Sequence, residues 1–357
     1  MVNVARSVIW PQNTDTLVRA VFLYVGQGES TIILAADGNS YKTILVDINL
    51  DSANGGINIP RLMEDLLKDK CGKLDVFINT HPHNDHLKGI VELSDAVKID
   101  AVWHSGHNPG KDYDDAYQTL KKVIKQVKDY GGSEVELNGS RSASRLGEAE
   151  YYVLAPAEYV KDDIEGESAE ARYRRIHEQC AVLKFGFENA WIMITGDADR
   201  DAWEKHITNY HGERLNACVF SAPHHGSRTF FRYDEKSEPY LDALQKVGPD
   251  YVIVSAPTSK ESPHDHPHDD AIKLYADEVG EDNILHTGEK RYSFICDIFR
   301  DGKYQVISDN GELAESYSIK EENDNGGGNG GKKKAAVVSS VSIPRTRVDE
   351  RPMGKEK

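Results

Sequence analysis

Thr80-His81-Pro82-His83-Asn84-Asp85-His86-Leu87 sets three imidazoles and a carboxylate within six positions. It follows Leu74-Asp75-Val76-Phe77-Ile78-Asn79, a short apolar segment that reads as a buried strand. A strand running into an ordered loop holds side chains rigidly, and alternation sends His81 and His83 to one side. Asp85 and His86 follow at once and can turn towards a second ion. Neutral imidazoles with a carboxylate oxygen suit Zn²⁺ or, with more oxygen donors, Mn²⁺ or Fe²⁺. The bland alternative is a polar loop whose histidines face water. Four ligand-type residues directly after a buried strand weigh against it.

The pattern His81-x-His83-x-Asp85-His86 resembles the HxHxDH signature of the metallo-β-lactamase superfamily. Other stretches carry the likeness over roughly residues 20–300. Val25-Gly26-Gln27-Gly28-Glu29-Ser30 reads by itself as a tight hairpin, with glycine permitting positive φ. It also resembles the "VGQGD" start of the hydrolase domain of ComEC/Rec2-type competence proteins, a branch of the same superfamily. The apolar run Ile44-Leu45-Val46 ends in Asp47, which the resemblance makes an orienting residue behind the ligand loop. The family's glycine-containing continuation is replaced here by Ile48-Asn49. Ala190-Trp-Ile-Met-Ile-Thr-Gly196-Asp197 ends a strand pair in the family's "GD". The resemblance makes Asp197 the carboxylate that bridges two metals. Its own context also allows a helix N-cap before Ala198-Asp199-Arg200.

His177 stands where other superfamily branches place a third histidine for the first metal, and where ComEC-like chains usually carry asparagine. A ligand and an unliganded surface histidine both stay open. The strand Asn216–Ala222 ends in Pro223-His224-His225-Gly226-Ser227, closely similar to the family's "HHGS". One of these histidines is expected to hold the second ion, His224 being the first choice, and the other to touch substrate or assist proton transfer. Gly226 and Ser227 are expected to offer an N–H and a hydroxyl to an anionic oxygen. In Pro263-His264-Asp265-His266-Pro267-His268, His266 matches the branch's His-Pro and is expected to complete the site or touch substrate. The segment reads as a proline-rich lid, although alternating His264, His266 and His268 also allow an extra metal site. The implied set is His81, His83 and His177 on one ion, with Asp85, His86 and His224 or His225 on the other. Asp197 lies between them, and Asp85, Asp197, His225 and His266 carry the chemistry.

Of the 357 residues 39% are hydrophobic, enough for one large α/β domain or two smaller ones. No run of about 18 apolar residues predicts a transmembrane helix, and the N-terminus lacks the apolar core of a signal peptide. Cys71, Cys180, Cys218 and Cys296 form no CxxC pair and read as free thiols, so a cytoplasmic location is expected. A net charge of −16 provides no general attraction for long duplex nucleic acid, while leaving the ions or a local basic patch able to take one phosphate. Helices are predicted from Pro60 to about Lys70, over 112–130 and over 269–279. Residues 157–178, dense in charge, read as a solvated insertion, and His104 and His107 as ordinary loop histidines. The hydrolase domain is expected over 1–320. A Gly/Asn-rich linker and flexible basic tail over 321–357 could recruit a protein partner.

The resemblance implies an α/β, four-layer αββα sandwich with two divalent ions, Zn or Mn foremost, at one edge of its central sheets. Two ions lower the pKa of a water between them and stabilise charge on the attacked ester. The first-choice substrate is a phosphodiester in nucleic acid or a nucleotide. The competence proteins' membrane channel has no counterpart here, so DNA uptake is not implied. Alternatives are another ester, a thioester or a lactam, and a partner-binding module with purely structural metals.

Overall fold

The computed structural model describes residues 3–110 and 115–319. The tail expected over 321–357 and the opening residues of the helix expected from 112 lie outside the described residues. Two large sheets organise the rest. The first runs, edge to edge, Tyr304–Ser308, Phe294–Phe299, Thr16–Phe22, Thr31–Asp37, Ser40–Val46, Val76–Asn79, Ala101–His104 and Ser133–Glu136. The second runs Ile284–His286, Tyr251–Val254, Val219–Ser221, Ala190–Ile194, Val182–Phe187, Ala149–Ala155 and Ser144–Leu146.

Both sheets share one construction. An antiparallel set is continued by three parallel strands, from Ser40–Val46 in the first sheet and from Ala190–Ile194 in the second. Parallel strands need long crossovers, and the loops at their carboxyl ends are where α/β folds place ligands. Every residue of Thr16–Phe22 is buried, because alternate side chains enter different cores. Val18, Ala20 and Phe22 meet Leu183, Phe185, Ile192 and Ile194 between the sheets. Val21 faces a core with Leu62, Met63, Leu66 and Leu120 from the outer helices. On the far side Val182, Met193, Phe220 and Val254 pack against Trp203, Leu244, Ala271 and Tyr275. Three cores between four layers give the expected αββα sandwich.

The helices follow their sequence signals. Asn58 accepts from Arg61 N, Pro60 fits the first turn, and Ile59–Leu67 buries Leu62, Met63, Leu66 and Leu67. Nine residues are too few for a stable isolated helix, so burial of about 1.5–3 kcal/mol per large apolar side chain carries it. Asp115–Asp129 buries Ala116, Leu120, Val123, Ile124 and Val127, the face read from the sequence. Asp269–Val279 keeps its expected bounds.

Two expectations are corrected. Residues 23–30 are no tight hairpin: they form an eight-residue, wholly buried excursion between paired strands. The 157–178 segment is solvated on its outer side only. Its helix Glu158–Glu165 is anchored by buried Val160 and Ile164, Ile176 is buried after the helix Ala169–Arg174, and Arg175 bridges Glu167 and Glu178. A single i, i+4 pair, Val160 and Ile164, was too little to stand out among the charges. Among the described residues no helix is long and apolar enough to cross a membrane.

Lys184 gives the sheet core a pH signature. It is 3% exposed, donates from Nζ to Asn216 O at 3.1 Å and lies 4.2 Å from the Trp191 ring. Burial lowers its pKa to about 8, whereas an unfolded lysine titrates near 10.4. Folding therefore favours the neutral amine, and this contribution is full above pH ~10.4 and lost as pH falls through ~8. Against Lys184→Met, wild-type stability should gain about 3 kcal/mol between pH 7 and 10.5, measured by urea unfolding.

Candidate metal centre

The ligand-type residues leave from the carboxyl ends of parallel strands. Val76–Asn79 runs directly into Thr80-His81-Pro82-His83, and Ala190–Ile194 into Thr195-Gly196-Asp197. Val219–Ser221 leads to His224 and His225. The Ala181 N–H donates to the Thr80 carbonyl at 2.8 Å, and the His224 N–H to the Gly196 carbonyl at 3.0 Å. These bonds tie the two sheets and their loops together at one edge. Gly196 has φ 48, and a Cβ there would lie 2.7 Å from Thr80 Oγ1 and Cys180 Sγ. Glycine alone lets the strand end approach the ligand loop.

Two donor groups meet at Asp197. His81, His83, His177 and Asp197 form one, and Asp85, His86, Asp197 and His225 the other, each with its donor atoms within 4.8 Å of one another. His225 Nε2 lies 3.3 Å from His86 Nε2, 3.4 Å from Asp85 Oδ2 and 3.5 Å from Asp197 Oδ1. His224 Nε2 is 3.6 Å from Asp197 Oδ2 but outside both groups, its ring 4.4 Å from that of His177 and 5.0 Å from that of His266. Of the two neighbours the geometry thus groups His225, not the first-choice His224, with Asp85 and His86. His224, His225 and Gly226 take consecutive positive φ values of 52, 57 and 77. For the two histidines such backbone is costly and persists only where the surroundings impose it.

Partners behind the cluster fix its rings. Asp47, itself at φ 55, accepts from Thr80 N at 2.8 Å and Thr80 Oγ1 at 2.6 Å, and holds His86 Nδ1 at 2.7 Å. His86 Nε2 is thereby aimed at the cluster. His81 Nδ1 lies 3.1 Å from Thr80 Oγ1, whose own proton goes to Asp47. His225 Nδ1 donates to the Ser255 carbonyl at 3.0 Å. Burial, helped by the neighbouring His86 and His83 rings, lowers the His81 ring well below its usual pKa and takes His177 to about 3. Burial also pulls on His86, but the carboxylates of Asp197, Asp47 and Asp85 outweigh it and lift its pKa well above the ordinary value. Burial pushes Asp197 upward, yet His86, His224 and His225 hold its carboxyl well below the usual range. The pocket favours positive charge at its centre.

The donors fit a divalent metal. His81 Nε2, His83 Nε2 and Asp197 Oδ1 are buried without a hydrogen-bond partner. Unpaired buried polar atoms cost about 1–3 kcal/mol each, and imidazole with carboxylate is a set that Zn²⁺, Mn²⁺ or Fe²⁺ would satisfy.

Other expectations fare differently. The helix-capping alternative for Asp197 falls to Asp199, which accepts from Ala202 N at 3.1 Å. The Ser227 N–H donates to the His224 carbonyl and its hydroxyl oxygen accepts from Thr229, which holds the histidine turn. Gly226 gives its carbonyl to the His268 N–H, and a Cβ there would meet Pro267 at 2.8 Å. His266 is buried near the cluster with Nδ1 unpaired, and burial lowers its pKa to about 3. His264 and His268 belong to no donor group among the described residues. His104 pairs with Glu134, and His107 with Gln179 at 2.5 Å.

Two residues went unweighed in the sequence. Glu29 is buried beside Asp47 and His86, and burial together with Asp47 raises its pKa to about 7. The Tyr173 ring lies 5.6 Å from that of His83. The signal for Glu29 was an acid within an otherwise uncharged run; a lone tyrosine among charged residues gave none for Tyr173.

No family model matches the sequence, and no curated protein does. Among solved structures, a diphosphatase from the PhnP family aligns over 82% of this chain and 98% of its own, at 14% identity and TM-score 0.38. CmlA, a diiron β-hydroxylase from Streptomyces venezuelae, aligns over 75% of this chain at 16% identity and TM-score 0.43; the chain spans about half of its length (52%). The FEZ-1 metallo-β-lactamase from Legionella gormanii aligns over 49% and 62%, at 14% identity and TM-score 0.26. At these values none carries an argument about activity.

Asp47→Asn keeps the size of the side chain but removes the carboxylate that aims His86. Affinity for Zn²⁺ or Mn²⁺ at the Asp85 group should fall about 10–100-fold, with far-UV circular dichroism unchanged. Competition with a fluorescent chelator measures it.

Proposed function

We propose that the chain is a metal-dependent phosphodiesterase for nucleic-acid or nucleotide phosphoesters, using two divalent ions, Zn²⁺ or Mn²⁺. The observation that carries this reading is the pair of donor groups sharing Asp197, with buried Nε2 and Oδ1 atoms that the protein leaves unpaired. His81, His83 and His177 would hold one ion and Asp85, His86 and His225 the other, with Asp197 common to both. Divalent ions bound there would supply an acidified water and polarise phosphoryl oxygens. The HxHxDH and HHGS motifs support a hydrolase, and their likeness to the ComEC/Rec2 branch favours a phosphodiester. Four unpaired cysteines fit a reducing cytoplasm.

The protein's own groups do the rest. Asp47, Thr80 and the Ser255 carbonyl hold three imidazoles in fixed orientation, so little reorganisation accompanies reaction. His224 and His266 stand side by side next to Asp197 and outside both donor groups, where they would orient the ester. The buried, unpaired Nδ1 of His266 would hydrogen-bond the ester from beside the metal centre.

Hydrolysis of bis(p-nitrophenyl) phosphate with Mn²⁺ or Zn²⁺ tests this. Turnover should depend on metal, drop beyond detection in Asp85→Ala, and lose about 10²–10³-fold in His266→Ala. Absence of turnover in the wild type with metal demonstrably bound would overturn the reading.

A further inference from the structure

Gly28 brings a groove to the side of the metal centre. Its φ is 134, and a Cβ there would lie 2.5 Å from the Asp85 carbonyl oxygen and 2.8 Å from the Asn49 side chain. The 23–30 excursion therefore presses its backbone onto the ligand loop, and Gln27 arrives beside Asp85. Between them opens a groove of about 560 Å³. Asp85 reaches it with a side chain that is 30% exposed, against 1% for Asp197. A group bound there would be continuous with an ester at the metals.

The lining selects a chemistry. Gln27, Asn54 and Asn84 present carboxamides, and Asp51 and Glu261 carboxylates. Lys88 is the one cation among the described lining residues, and none of them is aromatic. Acids outnumbering a lone lysine repel a polyphosphate or a nucleic-acid backbone. Without an aromatic face a nucleobase has no stacking platform. Hydroxyl groups fit, because they donate to carboxylates and also accept from amides. Gln27 adds an independent pointer. It is 8% exposed, its Oε1 accepts from Ser262 Oγ at 2.8 Å, and its Nε2 is buried with no partner. A hydroxyl oxygen would satisfy that donor.

We propose that this groove holds the neutral, hydroxyl-rich alcohol part of the substrate, a sugar or polyol esterified to the phosphate at the metal centre. The inference rests on the phosphodiesterase reading and narrows it from long nucleic acid to small phosphoesters.

Glyceryl p-nitrophenyl phosphate and propyl p-nitrophenyl phosphate share leaving group, charge and carbon count, and differ only in two hydroxyls. With the Mn²⁺-loaded protein, kcat/KM for the glyceryl ester should exceed that for the propyl ester by roughly tenfold, the scale of one or two net hydrogen bonds. The ratio should fall towards one in the Asn54→Ala, Glu261→Ala double variant. Equal kcat/KM on the two esters, or a preference that survives the double variant, would overturn the proposal. If neither ester is hydrolysed the phosphodiesterase reading fails, and calorimetry of sn-glycerol 3-phosphate against propyl phosphate reads the groove separately. Tighter binding of the glycerol ester, lost in the double variant, supports the groove assignment; equal affinity overturns it.

Discussion

One buried carboxylate sets the terms for this structure. Five imidazoles, those of His81, His86, His177, His224 and His225, lie 3.1–3.8 Å from Asp197 oxygens. No arrangement of protein protons satisfies all of them at once, and several nitrogens are left without partners. A fold does not collect so many desolvated polar groups without something to pair them, because each unpaired group erodes a net stability of only about 5–15 kcal/mol. A pair of divalent cations would resolve the imbalance. The strained backbone at Asp47, His224 and His225 is consistent with that, since it is tolerated where the surrounding structure over-determines it.

The sheets explain why these residues can meet. Each ends its antiparallel run in parallel strands, and the loops that bear chemistry leave the carboxyl ends of those strands. His177 is the exception, preceding the antiparallel Val182–Phe187 at the same edge. Face-to-face packing then brings the loop after Val76–Asn79 against the loops after Ala190–Ile194 and Val219–Ser221, joined through the Ala181–Thr80 and His224–Gly196 hydrogen bonds. Residues more than a hundred positions apart become neighbours without any long side chain having to reach.

Much of this was legible in the chain. His81, His83, Asp85 and His86 declare themselves because four ligand types fall within one loop after an apolar strand. Asp197 and the histidine pair follow because each ends another such strand. What stayed hidden depends on packing that local pattern does not encode. The choice between His224 and His225 turns on left-handed backbone and on the Ser255 carbonyl, thirty residues away. The hairpin reading of 25–30 failed because its glycines serve close approach to Asp85 and Asp51, not a turn. The charged segment before His177 buries one i, i+4 pair, Val160 and Ile164, and then Ile176, too few apolar positions to stand out among its charges.

The account stands on two ions sharing one carboxylate, and the metal content of the purified protein tests that most directly. After loading with Zn²⁺ or Mn²⁺ and exhaustive dialysis, mass spectrometry of the metal should find two ions per chain. It should find one in His83→Ala and one in His225→Ala, because each variant opens a different group. A wild-type chain that retains no metal, or two variants that both keep two ions, would contradict it.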